Sequence, residues 1–171
     1  VHRRSVSVGG VRDNSIIIVD GLKLGERVAV AGVSFLHEGQ KVKLTDYKGT
    51  KVALYFYPKD ATPGCTKQAC NLRDNIDGLT TAGIAVIGVS PDDNASHEKF
   101  ATKHELPFPL IADPDHKIID KYGVWGEKQN YGKTYMGLQR TTFLIDEAGK
   151  IQHVFKRPKT NDHTAEILSK L

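Results

Sequence analysis

Cysteine is scarce in this 171-residue chain, which contains only Cys65 and Cys70. Two thiols cannot supply the four ligands of a structural zinc site, and their separation of five residues is not the Cys-x-x-Cys spacing of a disulfide reductase. The sequence also lacks a phosphate-binding glycine loop and an internal repeat. These absences argue against zinc modules, P-loop nucleotide enzymes and repeat architectures.

Long hydrophobic runs are missing as well. No apolar stretch approaches the roughly 18 residues of a membrane helix, and the longest are short, as at residues 16–19 and 52–57. The first residues, Val-His-Arg-Arg-Ser, are positively charged, but no apolar segment of about 7–15 residues follows them. We therefore expect neither a membrane-spanning helix nor a secretory signal in these residues.

A strong excess of one charge sign is absent from most of the chain. The formal net charge is +4, and residues 45–171 hold 17 Lys and Arg against 16 Asp and Glu. Nucleic-acid binders usually gather basic side chains beside aromatic ones, whereas here the two signs are interleaved. The charge pattern disfavours nucleic-acid binding, and the contents of 39% hydrophobic and 26% charged residues are typical of a globular domain.

Two patterns divide the chain near residue 45. The earlier residues predict short strands and turns, and the later ones predict strands alternating with helices. In the first part the predicted strands are residues 5–8, 16–19, 27–31 and 41–44. In the second part the predicted strands are residues 51–57, 84–90, 109–112, 141–146 and 150–155, and the predicted helices are residues 63–81, 94–104, 116–122 and 161–171.

A strand–helix–strand unit followed by a hairpin and a terminal helix is the element order of the thioredoxin fold. We therefore predict an α/β protein with a thioredoxin-like fold, in which helices flank a central mixed sheet and a β-hairpin-rich segment precedes it. The predicted division is a β-rich N-terminal segment at residues 1–44 and the thioredoxin-fold domain at residues 45–171.

Cys65 falls in the first turn of the helix predicted to begin at Pro63, after Thr62 as a possible N-cap. Unsatisfied N–H groups and the positive end of the helix dipole favour a thiolate there, which makes Cys65 a candidate nucleophile. Cys65 and Cys70 could instead both be small buried hydrophobes, as most free cysteines are.

The spacing of Cys65 and Cys70 restricts how they can react with each other. Five residues along a continuous α-helix separate the two Cα atoms by roughly 8–9 Å, whereas a disulfide needs about 4.4–6.8 Å. A bond between them therefore requires the first helical turns to unwind. Such local order-to-disorder steps are used by redox switches.

Six segments in a fixed order carry a family resemblance. They are Tyr55-Phe-Tyr-Pro-Lys-Asp, Thr62-Pro-Gly-Cys-Thr, Ala69-Cys-Asn-Leu-Arg-Asp, Tyr122-Gly-Val-Trp-Gly-Glu, Tyr131-Gly-Lys-Thr-Tyr-Met-Gly and Arg140-Thr-Thr-Phe-Leu-Ile-Asp. With them the chain resembles the peroxiredoxins over about residues 40–171, and within these the bacterioferritin-comigratory-protein group, also called PrxQ. The resemblance implies a thiol peroxidase that needs no metal or organic cofactor.

The resemblance also implies residue roles. Cys65 matches the peroxidatic cysteine, which becomes a sulfenic acid, and Cys70 matches a resolving cysteine in the same helix. Thr62 matches the residue that hydrogen-bonds the peroxide, Pro58 the residue that shields the pocket, and Arg140 the distant cation that holds thiolate and peroxide. Gln68 is a weaker candidate for orienting Arg140. Thr62 could instead be only an N-cap, Pro58 only the end of a strand, and Arg140 only a surface cation.

The implied partners are a hydroperoxide and thioredoxin or a similar dithiol reductant, with no nucleic acid or membrane, and the expected state is a monomer in the cytoplasm. Two alternatives stay open. The protein could be a non-enzymatic redox sensor that uses the same disulfide, or a folded chimera with a disabled site. His97 and His104 lack carboxylate or cysteine companions in the sequence, so we expect them to be surface residues rather than metal ligands.

The chimera alternative comes from the N-terminal residues, which lack the Gly-x-x-Ala-Pro opening typical of the family. Residues 19–36 together with residues 39–42 instead resemble the C-terminal β-rich part of periplasmic adaptor subunits of efflux pumps. The two resemblances overlap near residues 39–44. The chain could therefore be a fusion, or it could be a divergent member of the family that still forms the usual hairpin.

Overall fold

The computed structural model describes residues 7–12, 15–20, 47, 49–130 and 133–171. The chain divides into two compact units, Val1–Ala31 and Gly32–Leu171, which are described separately. The strands predicted at residues 27–31 and 41–44 lie outside the described residues, as does most of the adaptor-like stretch. The division of the chain at residues 44 and 45 stays a prediction.

The described part of the N-terminal unit is a β-hairpin. Strand β1, Ser7–Arg12, pairs antiparallel with strand β2, Ser15–Asp20, and Arg12 lies opposite Ser15. The β-branched run in β2 favours an extended backbone. The structure confirms the strand predicted at residues 16–19. Of the strand predicted at residues 5–8, only residues 7 and 8 are described, and both belong to β1.

A mixed five-stranded sheet forms the centre of the described part of the larger unit, with the order β5-β4-β3-β8-β9. Strand β3 is parallel to β4, β4 is parallel to β5, and β8 is antiparallel to both β3 and β9. The strands are β3 Lys51–Phe56, β4 Ile84–Ser90, β5 Leu110–Ala112, β8 Thr141–Ile145 and β9 Ile151–Lys156. The predicted fold class is confirmed.

Five helices surround this sheet in the described residues: α1 Pro63–Asp74, α2 Ile76–Thr81, α3 Asn94–His104, α4 Lys117–Lys121 and α5 His163–Leu168. The prediction for α3 is confirmed, and Asp93 caps it by accepting a hydrogen bond from the Ser96 N–H at 2.8 Å. The prediction of a single helix at residues 63–81 is wrong, because α1 and α2 are separate helices. The helix breaks at Asn75, whose side chain donates to the Asn71 carbonyl at 2.8 Å and competes with the helical backbone.

The side chains of β3 and of Tyr57, which follows it, alternate between two buried clusters. Ala53, Tyr55 and Tyr57 pack in a cluster that includes Cys65 and Leu72 of α1, whereas Val52, Leu54 and Phe56 pack in a second cluster. Since successive strand residues point to opposite faces, a strand covered on both faces needs an uninterrupted apolar run. This requirement explains the apolar sequence of β3. Because Cys65 and Leu72 share a cluster with the two tyrosines, α1 lies on the face of the sheet that carries them.

A second hairpin, which the sequence did not predict, lies between α4 and β8. Its strands are β6, Trp125–Asn130, and β7, Lys133–Leu138, paired antiparallel. Polar residues dominate β6, so the alternation that marks a half-buried strand is missing. Tyr135 and Met136 of β7 are 46% and 55% exposed. Among the helices of the described residues, none has the length and apolar character to cross a membrane.

Candidate active site

The loop between β3 and α1 places Cys65 near the C-terminal end of β3, the central strand of the sheet. Ala61 has a φ of +56°, a left-handed conformation that non-glycine residues rarely adopt, and it turns the chain just before the helix. Thr62 then occupies the N-cap and Pro63 the first helical position, where its missing N–H costs nothing. Cys65 follows in the first turn, with 2% of its surface exposed.

Arg140 provides a fixed positive charge at the sulfur of Cys65. One terminal nitrogen of its guanidinium donates to Cys65 Sγ at 3.1 Å, and the other donates to Gln68 Oε1 at 2.5 Å. Gly64 lies close beside the guanidinium, since a Cβ at that position would lie 3.4 Å from it, at ordinary contact distance. The forked side chain thus connects Cys65 with Gln68. A guanidinium in this position can stabilise negative charge on the sulfur or on an oxygen bound beside it.

The position of Arg140 is set by the sheet. It precedes β8, whose first residue Thr141 pairs with Phe56 of β3, and its carbonyl accepts a hydrogen bond from the Arg157 N–H at 3.1 Å. Because β8 pairs with strands on both sides, it is not an edge strand. The surface-cation alternative therefore does not describe Arg140, whose side chain is engaged at the cysteine.

Thr62 and Pro58 lie on the loop that leads to Cys65. The Thr62 hydroxyl donates to the Lys59 carbonyl at 3.0 Å, and it makes no capping hydrogen bond although the residue stands at the N-cap. With its proton engaged, this oxygen retains acceptor capacity for a hydroxyl group brought to the site. Pro58 is half-buried where β3 ends.

Cys70 lies on the same uninterrupted helix as Cys65, and both thiols are free. Cys65 is buried, whereas Cys70 is half-buried. Because α1 runs from Pro63 to Asp74 without a break, the separation expected for five helical residues applies, and a disulfide cannot form in this conformation.

Tyr55 and Tyr57 lie beneath α1, with ring centroids 5.3 Å apart. Burial raises the pKa of Tyr55 well above its ordinary value, and negative charge on Cys65 raises this pKa further. The phenol of Tyr55 therefore stays protonated. Gly88 of β4 makes room for the Tyr55 ring, since a Cβ there would come within 2.8 Å of it.

A buried polar cluster, which the sequence did not predict, holds the loop before Cys65. Asp60, which is 6% exposed, accepts hydrogen bonds from the Tyr57 hydroxyl at 2.7 Å and the Ser96 hydroxyl at 2.7 Å. His97 Nδ1 lies 2.8 Å from the same carboxylate. Burial alone raises the pKa of Asp60, but these hydrogen bonds, led by that of His97, bring the net pKa below its ordinary value.

His97 is therefore not the surface residue that we expected, since it is only 5% exposed. The cluster ties the loop to α3, and the Asp60 N–H adds a bond to the Asp92 carboxylate at 2.8 Å. A sequence signal existed in the acidic residue of the loop and the histidine in the first turn of α3. Nothing in their spacing of 37 residues showed that they meet.

His163 anchors α5 to β8, the strand that begins just after Arg140. Its side chain is fully buried, with Nε2 2.8 Å from the Thr142 hydroxyl and Nδ1 3.1 Å from the Glu166 carboxylate. Burial lowers the pKa of His163, and although Glu166 acts in the opposite direction, the net shift is downward. The folded protein thus holds this imidazole neutral under conditions in which the unfolded chain binds a proton.

This shift predicts a pH dependence of stability. As the pH falls below about 6.5, the ordinary histidine value, the unfolded chain takes up a proton at His163 that the folded protein does not, so the free energy of unfolding decreases. In His163→Gln this contribution is absent, and we expect a smaller loss between pH 7.5 and 5.5. Urea unfolding at both pH values measures the difference. Equal losses in variant and wild type would contradict the prediction.

Known proteins align with most of this sequence. The model of the AhpC/TSA family matches residues 28–154, beginning inside the adaptor-like stretch. Peroxiredoxin Bcp of Escherichia coli strain K12 is 51% identical over 132 residues, which cover 77% of this chain and 85% of that protein. Peroxiredoxin Bcp of Bacillus subtilis strain 168 is 49% identical over 133 residues, which cover 78% of this chain and 85% of that protein.

Solved structures give the same result. The bacterioferritin comigratory protein of Xanthomonas campestris superposes with a TM-score of 0.73 at 32% identity, covering 77% of this chain and 83% of that one. A peroxiredoxin Q mutant from the same organism superposes with a TM-score of 0.70 at 34% identity, covering 75% and 82%. The chain therefore belongs to the AhpC/TSA family, as a thiol peroxidase of the Bcp/PrxQ peroxiredoxin group.

Proposed function

We propose that Cys65 is the peroxidatic cysteine of this peroxidase and Cys70 its resolving cysteine. The sulfur of Cys65 attacks the terminal oxygen of a hydroperoxide, the O–O bond breaks, and an alcohol or water leaves while Cys65 becomes a sulfenic acid. Cys70 then displaces the hydroxyl group to form an intramolecular disulfide. Thioredoxin or a similar dithiol protein reduces this bond by thiol–disulfide exchange.

The observation that carries the proposal is the 3.1 Å contact between Arg140 and Cys65 Sγ. Cleavage of an O–O bond develops negative charge on the departing oxygen, and a preorganised cation beside the nucleophile stabilises that charge. Gln68 supports the role of Arg140 because it fixes the second arm of the guanidinium. In this proposal Thr62 accepts a hydrogen bond from the peroxide, and Pro58 limits the access of water.

We propose both hydrogen peroxide and organic hydroperoxides as substrates. The solved Xanthomonas campestris relative is described by its alkyl peroxide reduction activity, which supports the organic class. No metal or organic cofactor takes part in the proposed cycle, because the two sulfurs carry both electrons. We further propose that the protein acts as a monomer in the cytoplasm. The cytoplasm is proposed because a cycle that ends in a disulfide needs a compartment that supplies dithiol reductant.

Cys70→Ser tests the division of roles between the two cysteines. We expect the variant to consume one equivalent of peroxide and stop with a sulfenic acid at Cys65, because no thiol is in place to displace the hydroxyl group. The measurement is NADPH consumption with thioredoxin, thioredoxin reductase and hydrogen peroxide, beside mass spectrometry of the oxidised protein. Wild type should sustain turnover and lose two hydrogens in mass, and Thr66→Ser, next to Cys65, serves as a folded control.

The outcomes separate the proposal from its alternatives. Sustained thioredoxin-coupled turnover by Cys70→Ser would show that Cys70 is not the resolving cysteine. A disulfide that forms in wild type without sustained turnover would indicate a redox sensor. A folded wild-type protein that does not react with peroxide would leave the disabled chimera as the explanation.

A further inference from the structure

Cys70 contacts a histidine on the neighbouring helix. Its Sγ lies 4.0 Å from Nδ1 of His104, the last residue of α3, and both side chains are half-buried. The His104 ring also packs edge-on against Phe100, with centroids 5.1 Å apart. This ring contact orients the imidazole, so that Nδ1 faces the sulfur.

The part of α1 that follows Cys70 is attached to two other helices. Asn71 accepts a hydrogen bond from the Thr164 N–H of α5 at 2.9 Å, and its side-chain amide donates to the Asn161 carbonyl at 3.2 Å. Arg73 donates to the His104 carbonyl at 2.7 Å, and Leu72 is fully buried. These contacts hold Cys70 beside α3 independently of the first turn of the helix.

The beginning of α1 is held differently. Pro63 and Gly64 come shortly after Ala61, an exposed residue with a left-handed backbone. In this half of the helix, Cys65 and Gln68 accept side-chain hydrogen bonds that Arg140 donates. Once Cys65 is oxidised, its bond with Arg140 changes, whereas the contacts of Asn71 and Arg73 do not. When α1 unwinds, Cys65 is therefore the moving partner and Cys70 the stationary one.

We propose that His104 is the general base of the resolving step and takes the proton of Cys70. The inference rests on the proposed function, since it needs the sulfenic acid at Cys65. Because the contact with Cys70 is present before α1 unwinds and Cys70 stays in place, the nucleophile is prepared before its target arrives. His104 is then a catalytic residue, because it touches a reacting sulfur.

The step balances as a thiol–sulfenic acid condensation. His104 Nδ1, unprotonated when the ring hydrogen is on Nε2, accepts the proton of the Cys70 thiol. The Cys70 thiolate attacks the sulfenic sulfur of Cys65, so that the S–S bond forms and the S–O bond breaks. The hydroxide that leaves takes up the proton held by His104 and departs as water. Cys70 is oxidised and Cys65 is reduced.

The charges around this pair favour the transfer. From α1, the Arg73 guanidinium lies next to Cys70 along the helix and is itself held by Asp74 at 2.7 Å. From α3, the flanking charged residues are Lys103 and Glu105, both exposed. Arg73 thus places a positive charge, partly offset by Asp74, near the sulfur of Cys70 where the thiolate develops. Glu105 provides a negative charge next to His104, where the imidazolium forms.

The experiment is single-turnover oxidation of the full chain by one equivalent of hydrogen peroxide, stopped by rapid quenching and read by mass spectrometry. His104→Asn removes the base, while the backbone carbonyl that binds Arg73 stays in place. Near pH 7 we expect disulfide formation to slow about 100-fold, in line with the usual contribution of a general base. Formation of the sulfenic acid should keep its wild-type rate. Lys99→Gln, which removes an exposed charge from the same helix more than one turn before His104, should match wild type.

The pH profile separates catalysis from a structural effect. Without His104 the proton of Cys70 passes to hydroxide, so the rate of disulfide formation in His104→Asn should rise with pH toward the wild-type rate. Added imidazole should accelerate disulfide formation in His104→Gly. Equal rates in variant and wild type, or a deficit of the same factor at every pH, would overturn the role of His104. Failure of wild type to form the sulfenic acid would instead overturn the proposed function.

Discussion

Cys65→Ser is expected to abolish peroxide turnover. A serine hydroxyl is not ionised near neutral pH and is a poor nucleophile toward an O–O bond, whereas the thiolate attacks it readily. The substitution changes one atom, and Cys65 is 2% exposed in a packed cluster, so the fold should survive. Peroxide consumption in the thioredoxin-coupled assay measures the loss, and thermal unfolding checks the fold.

Cys70→Ser is the comparison for Cys65→Ser. Both variants lose sustained turnover, but only Cys70→Ser should consume the first equivalent of peroxide and react with a sulfenic acid probe. If Cys65→Ser also consumed that equivalent, the nucleophile would be another group. With Cys70 the remaining thiol among two cysteines, mass spectrometry would then locate the oxidation directly.

Arg140→Met is expected to lower the second-order rate constant for peroxide by about 10²–10³-fold, the range found when a preorganised donor to a developing oxyanion is removed. The variant loses the donor to Cys65 Sγ at 3.1 Å and the charge itself. Arg140→Lys keeps a charge but cannot contact Cys65 and Gln68 through one rigid fork, so its rate should fall between those of Arg140→Met and wild type.

Stopped-flow oxidation of the reduced protein measures this rate without the reductant. Lys156→Met serves as the control, because it removes an exposed cation from β9, the strand beside β8, without touching Cys65. A wild-type rate constant for Arg140→Met would contradict the proposed role of the guanidinium. Equal losses in Arg140→Met and Lys156→Met would show that net charge, rather than the contact, controls the rate.

The strands and helices with strong local patterns could be predicted from the sequence. The bounds of β4 and α3 were predicted correctly. β4 is an apolar run between Gly83 and Pro91, and in the structure Asp93 caps the start of α3. The hairpin of β6 and β7 was missed because polar residues dominate β6, so the alternation that marks a half-buried strand is missing. Asn75 ended α1 through a side-chain hydrogen bond that no periodicity reveals.

The site itself was predictable only in part. The position of Cys65 in a first helical turn followed from Thr62 and Pro63, which are adjacent in sequence. Arg140 lies 75 residues away, and only the family resemblance connected it with Cys65. His104 looked like a surface residue because Cys70, its contact, lies on a different helix. Contacts between elements depend on tertiary packing, which a single sequence does not display.

The register between β3 and β8 has a consequence for repeated cycles. Phe56 at the end of β3 pairs with Thr141 at the start of β8. Arg140 and the loop leading to Cys65 are therefore attached to the sheet at the same pair of residues. Unwinding α1 breaks helical hydrogen bonds but none of this ladder. The half of the site that binds the oxyanion thus persists while the other half opens. Each return to the reduced state requires only one short helical segment to refold against a template that is already in place.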